Sequence, residues 1–469
     1  MCKGIKIRTA IGSYGWFYFA KDFKIISVCI VAMFLVACTP QATGTLMPVG
    51  TPLVTIPTPT KAIQPITPAT QVEIEPVVEP TETPPMPDPF AKIFSLSQNH
   101  YIIPLTVRRA SADWAVFFFE LKAPAEGKLI YRQVGTSETV EVAFLADATR
   151  QMMRVDGLTP GESYQAMVLL GNPESGFQQP GFAGQEWGMI QFRTLGDQKP
   201  LRVGILGDAS FGDPATEALV SLMAKQELDF VIHTGDVVYE TASSDVADSY
   251  LRKFFLPFSP LLHQGPVYTV LGNHDYDAAV RWQGVPFYDY AFPPFEDADF
   301  AYPPSRRGNQ YYALSYQDIQ FLMLDTHVFA GGEGRKDQDT WLAERLADGR
   351  FRVTIPVFHV APYSSSIVHP DDGLPVRYSW NWRFEQASVP LVFSGHFHHF
   401  ERHYANGITY IVSGGGSSTL YAQGDLLAES KRFARKTHFV LMEIYTDHIQ
   451  LSAIDLAGDT FDQAKISLD

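Results

Sequence analysis

The sequence predicts an α/β domain over residues 198–469, preceded by an all-β sandwich over residues 92–197. Three observations carry that reading. From Leu201 onward, apolar strand-like runs alternate with helical stretches, the pattern of helices laid on a largely parallel sheet. Several of those runs break into short polar segments rich in Gly, Asp, Asn and His, as the strand ends of open α/β sheets do. Ahead of them, strand-like runs follow one another with turn residues and no helical period.

Composition allows both parts. The chain has 469 residues, of which 46% are hydrophobic and 13% aromatic, enough to bury sizeable cores. Its formal net charge of −15 repels the nucleic-acid backbone, so a nucleic-acid scaffold is not an expected partner. A small phosphorylated substrate stays open, because a bound cation can dominate the field of a site. The three cysteines, Cys2, Cys29 and Cys38, all lie near the N-terminus, which excludes a disulfide framework or thiolate metal site in the rest of the chain.

The first element is a targeting segment over residues 1–37. Lys3, Lys6, Arg8, Lys21 and Lys24 precede an apolar run from Ile25 to Ala37. The run is shorter than the roughly 20 residues of a membrane span. Its end, Leu35-Val36-Ala37-Cys38, resembles a bacterial lipoprotein box. The resemblance implies cleavage before Cys38, lipidation of its thiol, and anchoring to a membrane at the bacterial cell surface or elsewhere outside the cytoplasm. An uncleaved anchor helix or an ordinary signal peptide are the other readings of these residues. Residues 38–91 read as a linker. Repeats such as Thr55-Ile56-Pro57-Thr58-Pro59-Thr60 fix φ, remove backbone donors and cannot pack a core.

In the β domain, Trp114–Leu121 and Lys128–Arg132 read as strands and Phe192-Arg193-Thr194 as the closing one. Leu158-Thr159-Pro160-Gly161-Glu162-Ser163-Tyr164 resembles the turn and tyrosine corner of fibronectin type III domains. In the α/β domain, Val203–Leu206, Phe230–Ile232 and Val267–Leu271 read as buried strands. Asp213-Pro214 caps and starts a helix carrying Leu219, Leu222 and Met223. Phe439–Ile444 and Ile449–Ile454 return to strand.

Five segments share one design: an apolar strand followed by metal-ligand residue types. They are Gly207-Asp208, Gly235-Asp236-Val237-Val238-Tyr239, Gly272-Asn273-His274-Asp275, Val357-Phe358-His359 and Gly395-His396-Phe397-His398. Oxygen and imidazole donors suit iron, zinc or manganese rather than a thiolate site. Any one segment is weak, since a Gly-Asp pair is more often a turn and a lone histidine more often structural. All five in this order are hard to explain as turns.

Together they resemble the calcineurin-like metallophosphoesterase superfamily over roughly Leu201–Asp469, which implies an α/β/β/α sandwich. Many members carry Asp-x-His in the first motif; here Ser210 stands at that histidine, and Tyr239 follows Asp236 by three residues. This pairing resembles purple acid phosphatases. So do Gly395–Arg402, with Phe400 where the family has Tyr, and Tyr410-Ile411-Val412-Ser413-Gly414-Gly415-Gly416. A fibronectin-like domain ahead of the catalytic one also occurs there.

The resemblance implies the following roles. Asp208, Tyr239 and His398 hold a first metal, iron(III); Asn273, His359 and His396 hold a second, Fe(II), Zn(II) or Mn(II); Asp236 bridges them. His274 binds a phosphoryl oxygen or protonates the leaving alcohol, with Asp275 orienting it. His369, on the loop after Tyr363-Ser364-Ser365-Ser366, reads equally as a substrate contact or as a surface-loop histidine. The implied activity is hydrolysis of phosphate monoesters at acid pH by a metal-bound water or hydroxide. A phosphodiesterase or nucleotidase on the same scaffold is the alternative. A non-catalytic tethered binding protein is the reading from a different class. It is disfavoured because a decayed site should have lost ligands.

Overall fold

The computed structural model describes Phe90, residues 95–97 and residues 100–468, apart from 183–184, 197–199, 240–245, 277–285, 294–299, 302–309 and 331–333. The targeting segment, Cys38 and nearly all of the linker lie outside the described residues. Among the described residues no helix is long and apolar enough to cross a membrane.

The N-terminal β part consists of two sheets. One has three strands, Tyr101–Ala110, Trp114–Leu121 and Arg150–Asp156. The other has seven, with Ser163–Asn172 pairing Gly127–Gln133, Gly176–Phe182 and Ile190–Arg193. Trp114–Leu121 is buried at every position, which explains why it reads as an unbroken apolar run and not as an alternating one. Its two faces serve different cores. Phe117 and Phe119 pack inside the β part, whereas Trp114 and Val116 join Leu201 and Val203 of the following domain. The Tyr164 hydroxyl accepts the Thr159 N–H at 2.8 Å.

The α/β part is built on two sheets packed face to face. The six-stranded sheet runs Val267–Thr269, Phe230–His233, Leu201–Leu206, His438–Ile444, His448–Asp455 and Thr460–Ser467; the first three are parallel and the rest an antiparallel meander. The eight-stranded sheet has Ile319–Leu324, Val353–Val360, Leu391–Gly395 and Ile408–Ser413 in parallel at its centre. Between the sheets lies a dry layer that includes Val203, Ile205, Phe321, Ile355, Phe393 and Met442. Helices cover the outer faces. Pro214–Met223 lies on the first sheet, while Arg335–Leu346 and Leu374–Gln386 lie on the second. The expected cap of the first helix is present: Asp213 accepts from the N–H of Thr216 at 2.9 Å, with Pro214 at the first helical position.

This layering positions the site. The parallel strands Leu201–Leu206 and Phe230–His233, with Val267–Thr269 beside them, end on the same edge as Val353–Val360 and Leu391–Gly395 of the facing sheet. Their exit loops therefore meet at the seam between the sheets.

Candidate metal centre

Three of the donors sit at sharp turns of the backbone. Asp208, Asp236 and His396 adopt left-handed backbone with φ of 56°, 52° and 68°. That region is disfavoured for residues bearing a Cβ and persists only where the surroundings over-determine it. The glycine before His396 answers a different need, close approach: a Cβ on Gly395 would stand 2.5 Å from an Asp208 oxygen.

The seven expected donors converge as two trios. In one, the Tyr239 hydroxyl lies 3.3 Å from Asp208 Oδ1 and 3.2 Å from His398 Nε2, and His398 Nε2 lies 3.4 Å from Asp208 Oδ1. In the other, Asn273 Oδ1 lies 3.1 Å from His359 Nε2 and 3.0 Å from His396 Nδ1, with 3.3 Å between the two imidazoles. Asp236 stands between them, Oδ1 3.3 Å from His359 Nε2. Ligands held about 2.1 Å from one ion stand about 3.0–3.4 Å from each other in octahedral or tetrahedral geometry. Both trios have that spacing.

Tautomers strengthen the case. In each histidine the outer nitrogen meets an oxygen acceptor: His359 Nδ1 the carbonyl of Thr234 at 2.9 Å, His398 Nδ1 that of Thr419 at 2.9 Å, and His396 Nε2 the Asp372 carboxylate at 3.0 Å. Donation outward leaves the inner nitrogen with its lone pair facing in. Three lone pairs, two buried carboxylates and an amide oxygen then face one another, an arrangement that is unfavourable until cations occupy it. The titration of the cluster says the same. Burial lowers the His359 pKa, but Asp236 and Asp208 outweigh burial and hold it at about 10. A proton there substitutes for the positive charge the site demands. Burial, then Asp236 and Asp208, raise the Tyr239 phenol well above its ordinary value, so a phenolate needs a strong cation. The residues present fit a pair of metal ions.

The remaining expected residues are placed as follows. His274 is exposed, its ring 4.6 Å from that of Tyr239 and its backbone N–H bonded to Asp236 Oδ1 at 2.9 Å. Asp275 differs from expectation. Instead of reaching His274, its buried carboxylate accepts the N–H groups of Val237, Val238 and Gly272 at 3.1, 3.1 and 2.8 Å. It therefore ties the Asp236–Tyr239 loop to the Asn273 loop. His369 stands at the rim, half exposed, its ring 5.4 Å from that of His396 and Nδ1 3.5 Å from Asp372. Ser210 is buried beside the cluster and takes no part in either trio.

Three contributors escaped the sequence reading. Asp372 holds His396, Phe211 stacks on Tyr239 at 3.8 Å, and Tyr421 stacks on His398 at 4.1 Å. For Asp372, the only sequence signal was its place three residues after His369.

Comparison with known proteins agrees with this geometry. Residues 201–400 match the family model of the calcineurin-like phosphoesterase. Purple acid phosphatase 23 of Arabidopsis thaliana is 26% identical over 243 residues, covering 45% of this chain and 51% of that protein. The chain thus spans about half the length of the curated relatives it matches. Among solved structures, a purple acid phosphatase from yellow lupin seeds superposes with a TM-score of 0.61 at 16% identity, covering 77% of this chain and 74% of that one. PhoD superposes with a TM-score of 0.57 at 12% identity, covering 79% and 90%; at such identities the likeness is one of fold. Over residues 201–400 the chain is thus similar to calcineurin-like phosphoesterases, and more distantly to purple acid phosphatases.

Proposed function

We propose that the chain is a dinuclear-metal phosphoesterase that hydrolyses phosphate monoesters at acid pH, with the seven converging residues as its ligands. The observation that carries this reading is the pair of trios joined by Asp236, with the Tyr239 hydroxyl beside Asp208 and His398 while Ser210 stays apart. Iron(III) suits the Asp208, Tyr239 and His398 trio, since a hard trivalent ion can hold a phenolate. Zinc, manganese or iron(II) suits the Asn273, His359 and His396 trio. Two such ions, held by these residues, would supply the positive charge for activating water and for an in-line displacement at phosphorus.

The protein's own groups do the rest. His274 lies exposed beside Tyr239, on a backbone pinned by Asp236. From there its imidazole reaches a phosphoryl oxygen or delivers a proton to the leaving alkoxide oxygen. Asp275 keeps the Asp236 and Asn273 loops in register, and His369 meets substrate at the rim. The β part is a structural module of fibronectin type III type, supported by its two sheets and the Tyr164 hydrogen bond. Lipidation at Cys38 would tether the enzyme outside the cytoplasm.

Metal analysis together with hydrolysis of an aryl phosphate monoester and an aryl phosphate diester tests the reading. Two metals per chain and faster turnover of the monoester below pH 7 are expected. Faster diester turnover would transfer the assignment to a phosphodiesterase, and a metal-free, inactive protein would remove it.

A further inference from the structure

Three residues beyond His398 lies a fully buried acid that the mechanism does not use. Glu401 is 0% exposed. Its carboxylate accepts the Ser365 N–H at 2.8 Å, the Ser365 hydroxyl at 2.6 Å and the Ser430 hydroxyl at 2.7 Å, and faces His399 Nε2 at 3.2 Å. A buried carboxylate is tolerated only with such a set of donors, and each donor is then held in place by the charge it satisfies.

Ser365 is where this charge meets two loops. Its hydroxyl also accepts the Leu427 N–H at 3.1 Å, its carbonyl accepts the Gly424 N–H at 2.7 Å, and the Ile367 N–H bonds the Ala422 carbonyl at 3.2 Å. The loop after Tyr363 and the loop before Ser430 are thus clasped together over Glu401. Both bear on metal-ligand candidates. The first carries Asp372, which holds His396 by Nε2. The second carries Thr419, whose carbonyl holds His398 Nδ1, and Tyr421, which stacks on the His398 ring at an interplanar angle of 11°.

We propose that Glu401 is a positioning residue that, through Ser365, fixes the two loops orienting His396 and His398 and so sets the metal affinity of both halves of the centre. This inference rests on the metal-centre reading and adds to it a residue that touches neither metal nor substrate. Groups that orient metal ligands from outside typically govern affinity by 10–100-fold. Glu401 acts one contact further out, so an effect of roughly tenfold is expected.

The test is calorimetric titration of zinc(II) into the metal-free full-length protein, below its melting temperature. Ser365→Ala removes the hydroxyl that links Glu401 to Leu427. Ser430→Ala removes a hydroxyl that serves the same carboxylate from the strand Ser430–Ala434, which carries none of the seven ligands. Ser365→Ala should weaken zinc binding roughly tenfold, and Ser430→Ala should leave it within about twofold while lowering stability. Glu401→Gln should weaken binding at least as much as Ser365→Ala. Unchanged zinc affinity in Ser365→Ala, or equal loss in both serine variants, overturns the inference, because the buried acid then serves stability alone. Absence of zinc binding in the wild type overturns the metal-centre reading as well, so the two failures are told apart.

Discussion

Acid tolerance can be traced to individual buried histidines, and His438 gives the cleanest test. It is 0% exposed, with Nδ1 2.9 Å from the Lys436 carbonyl, Nε2 3.2 Å from the Ser413 hydroxyl, and the rings of Phe400 and Phe461 edge-on at 5.3 and 5.9 Å. Burial lowers its pKa from 6.5 to about 4. Between those values the unfolded chain takes up a proton that the folded protein refuses. Stability is therefore fully present above pH 6.5 and falls as the pH drops toward 4. At pH 5 the loss assigned to this residue is about 2 kcal/mol. His438→Asn keeps a donor toward the Lys436 carbonyl and cannot titrate. Urea unfolding of wild type and variant at pH 7 and pH 5, at one metal load, measures the difference. The variant will start less stable at pH 7, since it leaves a void, but its drop between the two pH values should be smaller by about 2 kcal/mol. Equal drops would refute the reasoning. His233, likewise buried and held at about 4, contributes to both proteins and cancels in the comparison.

Three further outcomes follow from the site. Tyr239→Phe should abolish any visible band of the oxidised, iron-loaded protein while its ring stays stacked on Phe211, and should weaken the first metal site by more than the roughly tenfold expected of a remote group; a retained band places the chromophore elsewhere. His274→Ala should keep both metals while kcat falls by roughly 10²–10⁴, and metal loss in step with activity would make it structural. Cys38→Ser should shift the protein out of the membrane fraction or leave it unprocessed, and a variant that fractionates and matures like wild type refutes lipid anchoring.

Much of the site could be read in the sequence because its geometry follows from topology. Once parallel strands are recognised, their carboxyl ends are known to share an edge, and five loops rich in donors must meet there. Topology brings the five segments together, while the grouping of Asp208 with His398, far apart in the chain, comes from the resemblance to purple acid phosphatases. What could not be read depends on side-chain direction and on loops that fold back. Asp275 sits next to His274 in sequence, yet its carboxylate turns to the N–H groups of Val237, Val238 and Gly272, buried donors that need an acceptor. Tyr421 and Asp372 come from irregular segments with no strand or helix period, so nothing in their spacing pointed to His398 or His396. The unbroken apolar run at Trp114–Leu121 could be read as a strand, but its second buried face exists only because the β part shares a core with the α/β part.

The left-handed backbone at Asp208, Asp236 and His396 has a consequence for anyone who tries to improve this protein. Each of these residues carries a conformational cost of roughly 1–2 kcal/mol that glycine would not bear. A library of variants selected only for heat resistance without metal should therefore drift toward glycine at 208, 236 and 396, and toward loss of the catalyst. Screening with metal present reverses the incentive, because bound ions return more free energy than the backbone surrenders. The order of selection, binding first and robustness second, would decide whether an evolved descendant keeps the metal-ligand cluster.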